Sequence, residues 1–198
     1  MKLRHLALPL LASLALITAC SQEPSTGAPG APVSAADTTP IAAAQALDVL
    51  AAQGKGFTAG ALMSANPVYV LFDPQCPHCS HLWEASLPLH SKVKFVWLPV
   101  SLLNARSTPQ GAAIMTAANP VEAMTAHEKS LLAGQGGTSA SASIAPEVEA
   151  AIKANTVLLD RLGATSVPYV VGKNQRTGEV VTSAGSLSTE ALGNLLGL

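Results

Sequence analysis

Two cysteines three positions apart, Cys76 and Cys79, enclose Pro77 and His78 in the stretch FDPQCPHCSHLW. Thiols at this spacing can close a small structural disulfide, supply half of a metal site, or cycle between dithiol and disulfide. The structural disulfide is a weak reading. The entropy that a crosslink removes from the unfolded chain grows with loop length, and this loop is among the shortest possible. A structural zinc site needs four ligands. No second pair of this kind exists, and the positions of His81 and His127 do not compel coordination. A redox couple remains, needing no metal or other cofactor.

The flanking elements suit that chemistry. PVYVLF, residues 67–72, lies between Asn66 and an Asp-Pro pair and reads as a buried strand. Leu82, Trp83, Ser86 and Leu87 fall at helical spacing, which predicts a helix over about 77–90. Pro77 fits its first turn, and Pro88 should end or kink it. Cys76 then sits between a strand and a helix N-terminus, where unpaired N–H groups and the helix dipole favour a thiolate. Protonated His78 adds positive charge. Cys79 lies one turn on, within reach of Cys76 and more buried. The first sulfur attacks and the second resolves.

Further along, VKFVWLPV (93–100) predicts a second strand, and 109–118 and 119–133 predict helices with Pro or Asn-Pro starts. GQGGTSASAS (134–143) reads as a flexible break. Residues 145–163 form another helix ending at Gly163. Two strands around a turn follow, and the last helix is capped by Ser188 or Thr189. This order predicts an α/β fold, a mixed sheet with helices on its faces. Trp83 and Trp97 are expected in the core. His81, His90 and His127 are expected at the surface, and Asp73 in a turn.

The chain opens with Lys2, Arg4 and an apolar run, LALPLLASLALITA, too short and Ala-rich for a spanning helix. It reads as a signal peptide over 1–19. The small residues before Cys20 resemble a bacterial lipobox, so Cys20 is expected to carry a lipid. Ser21, rather than Asp, directs such a protein to the outer membrane, on its periplasmic face. Residues 20–40 are rich in Pro, Ser and small side chains and read as a tether, reaching roughly 25 Å. Residues 41–198 are one domain's worth of chain, with a helical insert over about 105–163. A net charge of −1 with 12% charged residues gives no basic surface for nucleic acid.

With these residues in hand, the sequence resembles the thioredoxin-fold periplasmic disulfide oxidoreductases of the DsbC/DsbG type. FDPQCPHCSHLW, LPLHSKVKFVWLPV, AANPVEAMTAHE and LGATSVPYVV carry the likeness, over roughly residues 60–198. It implies Cys76 as nucleophile, Cys79 as resolving thiol, and Pro168 as a cis-proline facing them. It also implies that the backbone of Val167 pairs with a substrate strand and that Pro77 borders the substrate. Partners would be proteins with thiols or disulfides, and a membrane redox partner. Relatives of this type usually carry an N-terminal dimerisation domain. Here only IAAAQALDVLAAQGKGFTAG, at most a short amphipathic helix, lies between tether and match, so a monomer is expected. Val167 stands where the type usually has Thr. Together with Cys-Pro-His-Cys, this resembles the DsbA oxidase. The direction of exchange therefore stays open between reductase or isomerase and oxidase. A non-catalytic binding module, or a metal chaperone using both cysteines and a histidine, is the alternative.

Overall fold

The fold is built outward from β2 (Pro67–Phe72), the strand that leads to the cysteine pair. Its last five residues are all buried, so both of its faces must be covered. A computed structural model describes residues 38–140 and 143–198. The expected signal peptide, the lipidation site at Cys20 and all but the last three residues of the tether lie outside the described residues.

β3 (Lys94–Pro99) pairs with β2 in parallel, Val70 opposite Trp97. A parallel pair needs a crossover, which α2 (Pro77–Ser86) and a 3-10 turn at Leu87–Leu89 supply. Pro88 falls in that turn, where the α-helix has stopped. β4 (Tyr169–Lys173) pairs antiparallel with the other edge of β2, and β5 (Val180–Ala184) with β4. β1 (Phe57–Gly60) pairs antiparallel with β3, completing the order β1-β3-β2-β4-β5. The mixed sheet is as expected, but β1 is not. Its residues were read as part of, at most, a short helix, which is confined to α1 (Ala46–Gln53). Four residues ending in glycine are too few to show a period of two. Gly56 brings the chain so close to β3 that a Cβ there would stand 1.9 Å from the Trp97 carbonyl oxygen.

The insert comprises α3 (Ser107–Thr116), α4 (Pro120–Leu132) and α5 (Pro146–Arg161). α4 packs on α2, α5 on β3 and α1, and α3 lies against all of α4, α5 and β3. Pro120 opens α4, and the Asn119 side chain accepts from Glu122 N at 3.3 Å. Gly163, at φ +70°, follows α5 as expected. α6 (Thr189–Leu196) is capped by Ser188, whose hydroxyl accepts from Ala191 N at 3.1 Å; Thr189 instead donates to Ala85 O. Trp83 and Trp97 meet edge-on at 5.0 Å, joining α2 to β3 in the core. Burying a large aromatic contributes on the order of 2–3 kcal/mol through area alone.

At the start of the described chain, Ile41 N donates to Arg161 O at 2.7 Å and Arg161 Nε to Thr39 O at 2.8 Å. Arg161 also reaches Gln53 Oε1 at 3.1 Å. Among the described residues no helix is long and apolar enough to cross a membrane.

Candidate active site

Cys76 is the N-cap of α2, with extended backbone, and Pro77 occupies the first helical position. The Cys76 carbonyl accepts from Cys79 N at 2.9 Å and from Ser80 N at 3.3 Å, which fixes the first turn. Both thiols are free and buried, Cys79 completely, while Pro77 and His78 are exposed. The second wall comes from the strand on the other side. In the β2–β4 register Leu71 faces Tyr169; continued by two residues, it sets position 73 level with 167. The Val167–Pro168 bond is cis, and Cys76 Sγ lies 3.5 Å from the Val167 carbonyl oxygen. Cys76, Cys79, Val167 and Pro168 thus meet at one end of the sheet, with Pro77 and His78 on its outer rim.

The two thiols have opposite acidities. Cys76 is pulled down to about 6, chiefly because the Cys79 thiol donates a hydrogen bond to it. Burial opposes this; the N–H groups of Cys79 and His78 and the charge of His78 assist it. Cys79 is pushed well above the ordinary thiol range, first by burial, then by its bond to Cys76, with the negative charges of Cys76 and Glu128 adding to the effect. At neutral pH one sulfur is therefore a thiolate and its neighbour a thiol.

The floor beneath the pair comes from residues that the sequence reading placed elsewhere. His127, expected at the surface, is completely buried. Its Nε2–H donates to Pro74 O at 2.7 Å, and its Nδ1 accepts from Thr138 N at 3.2 Å. Burial holds its pKa down, opposed by the bond to Pro74 and the charge of Asp73. His90 is half-buried against Trp83 and Phe95, and only His81 is exposed as expected. Asp73 is a buried hub rather than a simple turn residue. Its carboxylate accepts from Gln75 N, Leu102 N, Leu103 N and the Ser107 hydroxyl, at 2.7–3.0 Å. It therefore ties the segment before Cys76 to the end of β3 and the start of α3.

The expected break over 134–143 is likewise bonded into the site along 134–138. Gly136 O accepts from Gln75 and Gln110, and Ser130 donates to Gly137 O. At Gly137, φ +82°, a Cβ would stand 2.3 Å from the His127 ring. Positions 141–142 lie outside the described residues. Glu128, beside His127, is 1% exposed. One carboxyl oxygen accepts from the Ser80 hydroxyl; the other is buried without a hydrogen-bond partner. Burial holds its proton up to about 8, opposed by the Ser80 bond and reinforced by the negative charges of Cys76, Asp73 and Glu84. The spacing of Met124, His127 and Glu128 was a signal for this face: positions i, i+3 and i+4 of one helix point the same way. Among the described residues, no cluster of three or more His, Cys, Asp or Glu side chains could hold a metal ion.

No protein-family model matches the chain. The catalytic domain of Proteus mirabilis ScsC superposes on 77% of this chain and 95% of its own length, with a TM-score of 0.59 and 16% identity. The fold is thioredoxin-like. In sequence, the thioredoxin-like chain is similar to two curated thiol:disulfide interchange proteins named DsbG. The one from Pseudomonas aeruginosa is 28% identical over 133 residues, 66% of this chain and 50% of that protein. The one from Escherichia coli is 30% identical over 105 residues, 52% of this chain and 42% of that protein. The thioredoxin-like chain thus spans about half the length of the curated relatives it matches.

Proposed function

We propose that this chain is a thiol–disulfide oxidoreductase of the periplasm that exchanges disulfides with protein substrates through Cys76 and Cys79. The observation that carries the reading is the geometry of the pair: Cys76 caps α2 with its Sγ 3.5 Å from the carbonyl oxygen of Val167, before the cis bond to Pro168, and Cys79 is completely buried one turn on. The Cys76 thiolate attacks a substrate disulfide, or is itself attacked when oxidised, and a mixed disulfide forms on it. Cys79, buried behind it, is kept from substrate and closes the Cys76–Cys79 bond. Val167 lies beside the reacting sulfur, where its backbone would hydrogen-bond an extended substrate segment. Pro77 and His78 would border that segment. Similarity to the DsbG proteins supports this reaction class.

The direction follows from the thiolate. A fold that stabilises the reduced form makes its disulfide the better oxidant, so oxidation of substrate thiols is favoured. Attachment through a lipid on Cys20, delivery by the signal peptide, a membrane redox partner and a monomeric state belong to the same proposal. Turnover with insulin as a disulfide substrate tests the reaction. Sustained reduction that vanishes in Cys76→Ser supports it; binding without turnover would leave a protein-binding module instead. Fatty-acid labelling lost in Cys20→Ala tests the anchor, and a tight dimer in sedimentation would overturn the monomer.

A further inference from the structure

The residue before Cys76 is bonded to the wall of a cleft in the helical insert. Gln75 donates through Nε2 to Gly136 O at 3.0 Å, and its Oε1 accepts from Asn104 Nδ2 at 3.2 Å. Gln110 Nε2 donates to Gly136 O and to Thr138 O, both at 2.9 Å. These bonds fix the 136–138 backbone against the first turn of α3. Beside them lies a cleft of about 350 Å³, lined by Arg106, Gln110, Gln135, Gly136, Thr138 and Ser139 among others. The lining is mostly polar and contains no acidic residue.

Arg106 supplies the charge. It stands at the N-cap of α3 with its side chain exposed. Among the described residues the guanidinium has one hydrogen-bond partner and no acidic one: Nη1 donates to Gly136 O at a long 3.5 Å. Gly136 lets it lie there, since a Cβ at that position would stand 2.4 Å from Nη1. Asp73, which also holds the start of α3, is buried, and its oxygens are taken by four donors. A guanidinium presents five N–H donors in a planar fork that matches a carboxylate. Here most of that fork is unused, in a cleft with no negative charge of its own.

We propose that this cleft receives a carboxylate of the protein substrate, an Asp or Glu side chain a few residues from the cysteine under attack, with Arg106 as the residue that selects it. The inference rests on the oxidoreductase reading above. An extended chain covers about 3.3 Å per residue. Two or three residues from a cysteine joined to Cys76 are therefore enough to pass Gln75 and reach the cleft that its side chain borders. The carboxylate then accepts two parallel N–H bonds from Arg106, a pairing that fixes direction as well as charge.

Pairs of short peptides test this, identical except for Glu or Gln two residues before, or two residues after, a single cysteine. That cysteine is supplied as a disulfide with uncharged 2-thiopyridine. The Cys76 thiolate of the reduced protein attacks the peptide sulfur. The bond from Cys76 to the peptide forms, the bond to the thiopyridyl sulfur breaks, and that group leaves with the electron pair and takes a proton from water as the absorbing thione. Thione release is followed in stopped flow against peptide concentration. In wild type, the Glu peptide of at least one pair is expected to half-saturate at about fivefold lower concentration than its Gln twin, with the same limiting rate. That ratio should fall to near one in Arg106→Gln and invert in Arg106→Glu. Equal half-saturation within both pairs in wild type would overturn the assignment, as would a preference that Arg106→Gln retains. A preference confined to the limiting rate would also overturn it, because the cleft binds and does not react. Failure of wild type to release thione from any peptide would instead overturn the oxidoreductase reading, and this inference with it.

Discussion

The rim and the floor of the site differ in almost every property although a single helical turn joins them. At the rim, Cys76 caps α2 beside exposed Pro77 and His78, and backbone N–H groups and the charge of His78 favour its thiolate. On the floor, Cys79 and Ser80 are fully enclosed, Ser80 donates to Glu128, and the charges of Cys76 and Glu128 both push the Cys79 thiol up. The rim favours negative charge and the floor opposes it. Two chemically identical thiols are thereby given opposite acidities by where one turn of helix places them.

The largest effect expected from breaking this contrast is at Cys76 itself. Cys76→Ser should reduce exchange to background, whereas Cys79→Ala should leave a nucleophile that cannot resolve. Substrates should then stay joined to Cys76, as mass spectrometry under non-reducing conditions would read. Equal trapping on either single mutant would erase the distinction between rim and floor. Next comes Asp73→Ala, which strips partners from three backbone N–H groups and one hydroxyl. A loss of about 3 kcal/mol or more in denaturant unfolding is expected; a loss under about 1 kcal/mol would mean that the hub is not holding the segment before Cys76 to the end of β3 and the start of α3.

The pH dependence of stability sharpens the comparison, because rim and floor have opposite signs. Glu128 holds its proton up to about 8 in the fold, against about 4.3 for a free glutamate. The folded state thus binds more protons between those values, and this group's contribution falls as pH rises through them. Cys76 works the other way. Its value of about 6 lies below that of a free thiol, about 8.5, so the stability it adds to the reduced protein is present above that range and lost as pH falls toward 6. Glu128→Gln should therefore stabilise the reduced protein by on the order of 2 kcal/mol at pH 8 and by much less at pH 4. A gain independent of pH would show that the carboxyl is not held protonated. The smallest effect expected is that of His78→Ala. The charge of His78 is the least of the influences on Cys76, so its pKa should rise by less than about one unit, read from thiolate absorbance.

What could be read from the sequence follows the same division. The rim was legible, because Cys-Pro-His-Cys after an apolar strand and before helical spacing places every rim residue by local rules. Pro168 and Val167 came through family resemblance, since nothing local brings position 167 level with 73; only the β2–β4 register does. The floor was mostly hidden. His127 and Glu128 sit among polar neighbours in TAHEKS, and their burial depends on α4 lying against α2, a tertiary fact. The spacing of Met124, His127 and Glu128 was the one available clue. β1 was missed because four residues gain their strand character from β3.

The hydrogen bonds of Thr39 and Ile41 to Arg161 also decide how the domain would bear a mechanical load. Tension transmitted along the chain from residues before Thr39 would arrive at the end of α5, not at the sheet. It would have to part those bonds, and then draw Ala46 and Leu50 of α1 out of the core, before it pulled on β1. The cysteine pair lies beyond all three. A pull strong enough to fray the first described residues would thus be spent on a helix end while the geometry around Cys76 stayed slack.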